Sequence, residues 1–132
     1  MKKTIALLII IITLTFVFAS CASLDSYKDN LGEDYKTELY DKDEIEDLAD
    51  RFDIDEEDYE ISAVMYAKDR DKGYYAYFIE CGSSVEAAEL VKELEDVVDL
   101  MDSVYSFDVK AVADSNFVLI GNADVISAAL DE

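Results

Sequence analysis

The spacing of apolar positions names most of the elements in this chain. Over residues 41–52, Ile45, Leu48, Ala49 and Phe52 fall on one helical face, and Asp41 and Glu44 stand at capping-box spacing, which predicts a short amphipathic helix. Residues 59–67 and 74–81 are rich in β-branched and aromatic side chains, and Asp69-Arg70-Asp71-Lys72-Gly73 between them has the composition of a hairpin turn. Ser83 and Glu86 form a second capping box ahead of Val85, Ala88, Val91, Leu94, Val98 and Met101, which recur at helical spacing. Residues 105–113 alternate between apolar and polar, Asp114-Ser115-Asn116 turns the chain, and residues 117–120 read as a partner strand. Asn122 is placed to cap a last short helix carrying Val125, Ile126, Ala129 and Leu130. Shifting the chain by 40 positions sets Val85 on Val125, Ala88 on Ala128 and Leu90 on Leu130, in agreement with a doubled ββα pattern.

Four strands and two helices in the order ββαββα are accommodated most simply as an α+β domain over residues 41–132: a four-stranded antiparallel sheet with both helices on one face, preceded by the short amphipathic helix. This is the ferredoxin-like layout with its order circularly shifted. Side chains alternate along a strand, so charged residues assign the faces. Glu60 and Ser62 put Val64 and Tyr66 outward, Glu80 does the same for Tyr74, Ala76 and Phe78, and the second hairpin leaves Val112 outward with Val118 and Ile120 beside it. The candidate interaction surface is therefore Val64, Tyr66, Tyr74, Phe78 and Val112, an open sheet face whose aromatics suit a protein partner or a second copy of the chain. The opposite parity would bury Phe78 and expose Tyr75 and Tyr77.

The N-terminal end is a different polymer. Residues 1–20 hold Lys2 and Lys3, then an apolar run interrupted only by Thr13 and Thr15, and no acid, which are the parts of a secretory signal peptide. The run ends in Ala19-Ser20-Cys21, which resembles the lipobox of bacterial lipoproteins, with Phe18 standing where leucine is commonest. That resemblance implies a Cys21 that carries lipid, becomes the first residue after cleavage, and anchors an extracytoplasmic protein to the cell membrane. The same segment has two other fates, cleavage after Ala22 to release a soluble protein or retention as a membrane helix. Residues 21–40 show no sustained apolar period and read as a flexible acidic tether, a coil of about 20 residues that would hold the domain some 25 Å from the bilayer.

Composition narrows the chemistry. The 132 residues include 32 acids, 11 bases, no His and no Pro, and the formal charge is −21; removing residues 1–20 takes away two lysines and no acid, leaving −23. Without His there is no Ser-His-Asp or Cys-His relay, and the four singly scattered glycines write neither a Walker loop nor a GxGxxG turn. The charge repels nucleic acid, whose phosphate backbone needs clustered Lys and Arg. No cofactor and no catalytic residue is implied. Asp69, Asp71 and Glu80 echo a calcium loop, but Gly73 and Tyr74 occupy positions that an EF-hand gives to a ligand and to its glycine. The run Asp53-Ile54-Asp55-Glu56-Glu57-Asp58 is a denser carboxylate cluster, and no specific metal site is read from it. Cys81 lies beside Glu80, which disfavours a thiolate, and reads as a buried structural thiol. The reading is a non-catalytic binding or assembly module on the membrane, with an acidic cation-binding surface domain as the alternative. Self-repulsion of this charge predicts a melting temperature that rises as salt is added from low ionic strength, since charges are screened within about 10 Å at 0.1 M. Divalent ions should add little beyond monovalent salt at equal ionic strength; saturable micromolar calcium binding would point to the cation-binding alternative.

Overall fold

The structure, a computed structural model, describes residues 23–104 and 108–131. In chain order its elements are α1 (Leu24–Leu31), β1 (Tyr35–Leu39), α2 (Lys42–Phe52), β2 (Ala63–Asp69), β3 (Tyr75–Glu80), α3 (Ser84–Glu93), α4 (Glu95–Val104), β4 (Val109–Asp114), β5 (Phe117–Asn122) and α5 (Ala123–Ala129). All strand pairs are antiparallel, in the order β1-β2-β3-β5-β4, so the two hairpins join through their second strands and β1 extends one edge.

The α+β class, the antiparallel sheet and the repeated ββα succession are as the apolar pattern predicts. The strand count, the helix count and the one-sided layering are not. Among the described residues five strands stand where four were expected, and five helices flank both faces of the sheet, where two were placed on one face after a short amphipathic helix that is realised as α2. On the first face, α2, α3 and α4 pack Leu48, Phe52, Ala87, Leu90, Leu94 and Met101 over Val64, Tyr77, Ile79, Val118 and Ile120. On the second, α1 and α5 pack Tyr27, Leu31, Val125, Ile126 and Ala129 over Met65, Ala67, Phe78, Phe117 and Leu119.

The expected tether at residues 21–40 is corrected from residue 23 onward. Ser23 caps α1 by accepting from the Ser26 N–H, and Gly32, at φ 74, ends it with its own N–H on the Lys28 carbonyl. β1 then pairs along β2, from Tyr35 opposite Asp69 to Leu39 opposite Met65. The described fold thus reaches back to Ser23 at least, about 18 residues before the expected boundary at 41. Tyr27 is the reason this stretch folds. Its ring lies 5.1 Å from Phe78 and 5.3 Å from Phe117, the latter edge-on, and its hydroxyl donates to Asp114 Oδ2 at 2.6 Å.

Local signals elsewhere are realised closely. Both halves of the Asp41/Glu44 capping box form, at 2.9 and 3.1 Å. Ser83 accepts from the Glu86 N–H at 3.2 Å. Asn122 ends β5 and caps α5 with no loop between them, accepting from the Val125 N–H while its amide donates to the Asp108 carbonyl. The preceding Gly121 sits at φ 146, where an added Cβ would strike the Tyr75 carbonyl and Ala76. The helix expected from Val85 to Met101 breaks at Leu94 into α3 and α4, and its buried line is Ala87, Leu90, Leu94 and Met101; Val85 and Ala88 are exposed. In the expected strand from residue 105, β4 begins at Val109, and positions 105–107 lie outside the described residues.

This corrected helix face is directly testable by urea unfolding. Leu90→Ala should cost about 3 kcal/mol, as truncation of a fully buried leucine does. Val85→Ser should stay within about 0.5 kcal/mol, as at an ordinary exposed position.

Candidate functional site

The five residues of the expected interaction surface are divided between the two faces of the sheet. Val64 and Tyr66 belong to the face under α2, α3 and α4, whereas Tyr74, Phe78 and Val112 belong to the face under α1 and α5. Val64 and Phe78 are buried, and Tyr66, Tyr74 and Val112 are half-buried. Val118 and Ile120, expected beside them, are buried as well. The cause is register. Lys68 pairs with Tyr75 across the turn, so even-numbered residues of β2 share a face with odd-numbered residues of β3: Val64 stands opposite Ile79, and Met65 opposite Phe78. Glu60 and Ser62 precede the first residue of β2, so their polarity marks no sheet face. The opposite parity fails too, because Tyr77 is buried and Tyr75 half-buried. Neither face of the sheet is open.

The aromatic side chains acquire other roles. Tyr40, Tyr66, Tyr75 and Tyr77 form a continuous ring cluster, with Tyr66 at 6.4 Å from Tyr40, 5.6 Å from Tyr75 and 5.4 Å from Tyr77, and Phe52 sits edge-on to Tyr77. Arg51, at the end of α2, reaches the hydroxyls of Tyr77 and Tyr40. Burial, then the neighbouring Tyr77 hydroxyl, push Tyr40 up to about 12, with Arg51 pulling the other way. On the other face, the Lys72 ammonium stands 5.8 Å from the centre of the Tyr74 ring. Neither Tyr40 nor Arg51 stood out in the sequence. A signal was present, since Arg51 is the one cation near the end of a helix crowded with acids.

The carboxylates gather in one open groove of about 640 Å³ between α2, the loop after it and the end of α3. Glu46, Asp50, Asp53, Asp55, Glu56, Asp58 and Glu93 line it with Ala49, Ile54 and Tyr59. Helical spacing on α2 places Glu46, Asp50 and Asp53 along one side, and Asp53 takes the left-handed conformation that turns the chain back past them. Among the described residues no three His, Cys, Asp or Glu side chains converge in a way that could hold a metal ion. Asp55 is occupied in part by its own loop, accepting from the Glu57 N–H at 2.9 Å. In the calcium-like stretch, Asp69 accepts from the N–H groups of Lys72 and Asp71, and these bonds hold its carboxyl below the usual range. It organises the hairpin turn, with Gly73 at φ 76 completing it.

Cys81 is 2 % exposed on the first sheet face. Burial, then Glu86 and Glu80, push its thiol up to about 12, which removes it as a nucleophile near neutral pH. The sign of its effect on stability follows. Above the ordinary value of 9.0 an unfolded chain loses the proton and the folded chain keeps it until about 12, so folding stability falls as pH rises through that window. Tyr40 acts in the same direction from 10.0 to about 12. Denaturant titrations from pH 8 upward should show this decline, and Cys81→Ala should flatten its first part, near pH 9 to 10, without altering the Tyr40 contribution. The chain was compared with protein-family models, with curated proteins and with solved structures, and nothing in any of the three matches it.

Proposed function

We propose that this chain is a bacterial lipoprotein, held on the extracytoplasmic side of the cell membrane through lipid on Cys21, and that its domain is a non-catalytic binding or assembly module. The observation that carries the reading is how the motif sits against the first described element. The lipobox-like Ala19-Ser20-Cys21 ends two residues before Ser23, the N-cap of α1, so processing there would leave every described element in place. Cleavage before Cys21 would remove none of the described structure. No helix among the described residues is long and apolar enough to cross a membrane.

The absence of a relay supports a role without catalysis: the chain has no His, and its domain thiol is buried and held protonated. Two acyl chains at about 0.8 kcal/mol per buried methylene suffice for stable anchoring, where one is marginal. The cation-binding alternative has the acidic groove in its favour and no converging ligand set among the described residues.

Labelled fatty acid should enter the protein in cells, and Cys21→Ala should abolish both the labelling and membrane retention. An unlabelled protein, or one whose first residue is Ser23, would overturn the anchor.

A further inference from the structure

Ser23, the cap of the first described helix, follows Cys21 by two residues, so an anchor on Cys21 holds α1 close to the lipid. Two residues span at most about 7 Å, far less than the stand-off of a 20-residue coil, so the end of the molecule that carries Ser23 lies at the lipid. From Ser23, α1 leads away, the chain reverses at residues 32–34, and β1 returns it to Leu39. The N-terminal turn of α1 and the C-terminal end of β1 consequently lie side by side. Leu24, Asp25 and Lys28 face Thr37, Leu39 and Met65 around a notch of about 150 Å³.

Among the described residues this end carries one exposed large apolar side chain, Leu39, which is 66 % exposed; Val85, Leu100 and Val104 belong to α3 and α4, on the opposite face of the sheet. We propose that the Leu24/Leu39 end is seated on the bilayer surface, with Leu39 as its apolar contact, an inference that rests on the lipid-anchor reading above. A lipid held two residues away makes the contact intramolecular, so one exposed leucine is enough to bias the orientation. The charges lining the notch do not choose an anionic surface, because Asp25 stands with Lys28. The β2–β3 turn points the other way: β2 runs from Met65 to Asp69, about 13 Å at 3.3 Å per residue, before Asp71 is reached.

The test uses the full chain produced in a lipidating host and reconstituted in phosphatidylcholine vesicles whose acyl chains carry bromine as a fluorescence quencher. A thiol-reactive fluorophore is placed singly at Leu39→Cys, Lys28→Cys or Asp71→Cys, all exposed positions, with circular dichroism confirming each fold. Cys81 is buried with its thiol pushed up to about 12 and does not compete for the label, and an acylated Cys21 has no free thiol. Quenching at positions 39 and 28 should exceed that at position 71 several-fold. Equal quenching at all three, or quenching greatest at 71, overturns the orientation. Intact mass of the same preparation reads the lipid on Cys21 independently. A lipidated protein with the wrong quenching pattern removes only the seating, whereas a preparation without lipid removes the anchor and the seating together.

Discussion

Everything in this architecture answers to one constraint: the two central strands are apolar on both sides. β3 carries Tyr77 and Ile79 toward one face and Ala76 and Phe78 toward the other, and β5 is buried along its whole length. An antiparallel sheet often leaves one face wet, but strands of this kind permit that on neither face. Two layers would leave Phe78, Phe117 and Leu119 in water, at about 25 cal/mol for each Å² of apolar area left uncovered. The first and last of the described helices therefore cover the second face, and Tyr27 is the side chain through which the first of them engages.

That constraint also separates what could be read from the sequence from what could not. Caps and periodicity are local, and the capping box at Asp41, the Ser83 and Asn122 caps and both hairpins are legible because each depends on residues a few positions apart. Face assignment is not local. It depends on how many residues lie between paired strands, and the turn after Asp69 sets Val64 against Ile79, not against Phe78. The unbroken apolar runs Tyr75-Ala76-Tyr77-Phe78-Ile79 and Phe117-Val118-Leu119-Ile120 were the available warning, since continuous runs mark strands covered on both sides. α1 and β1 left fainter traces. Leu24, Tyr27 and Leu31 keep helical spacing between Ser23 and Gly32, and Tyr35, Thr37 and Leu39 alternate with Lys36 and Glu38. Each pattern covers too few residues to outweigh the surrounding acids.

The acids themselves explain little of the fold and much of its surface. They cap helices, hold turns and crowd the groove beside α2, while the interior keeps only Asn122 as a buried polar residue among the described ones, with both ends of its amide engaged. The candidate chemistry is correspondingly hard to read from sequence: a carboxylate that closes a turn, such as Asp69, and one that lines a groove, such as Asp50, look alike until their hydrogen bonds are known.

The packing of α1 on α5 makes the first described helix and the last one neighbours, tied by the Asn30 amide on the Ala129 carbonyl at 2.7 Å. A chain delivered N-terminus first cannot close this seam until α5 has arrived. Until then Tyr27 can reach Phe78, but the second face lacks Val125, Ile126 and Ala129, and β1 can pair with β2 only beside an unfinished layer. High contact order of this sort delays the last step of folding and leaves a nascent domain open to proteases for the whole of that delay. Removing the last turn of α5 would take away the Ala129 carbonyl that receives the Asn30 amide, so α1 would lose this tie however much of the rest had folded.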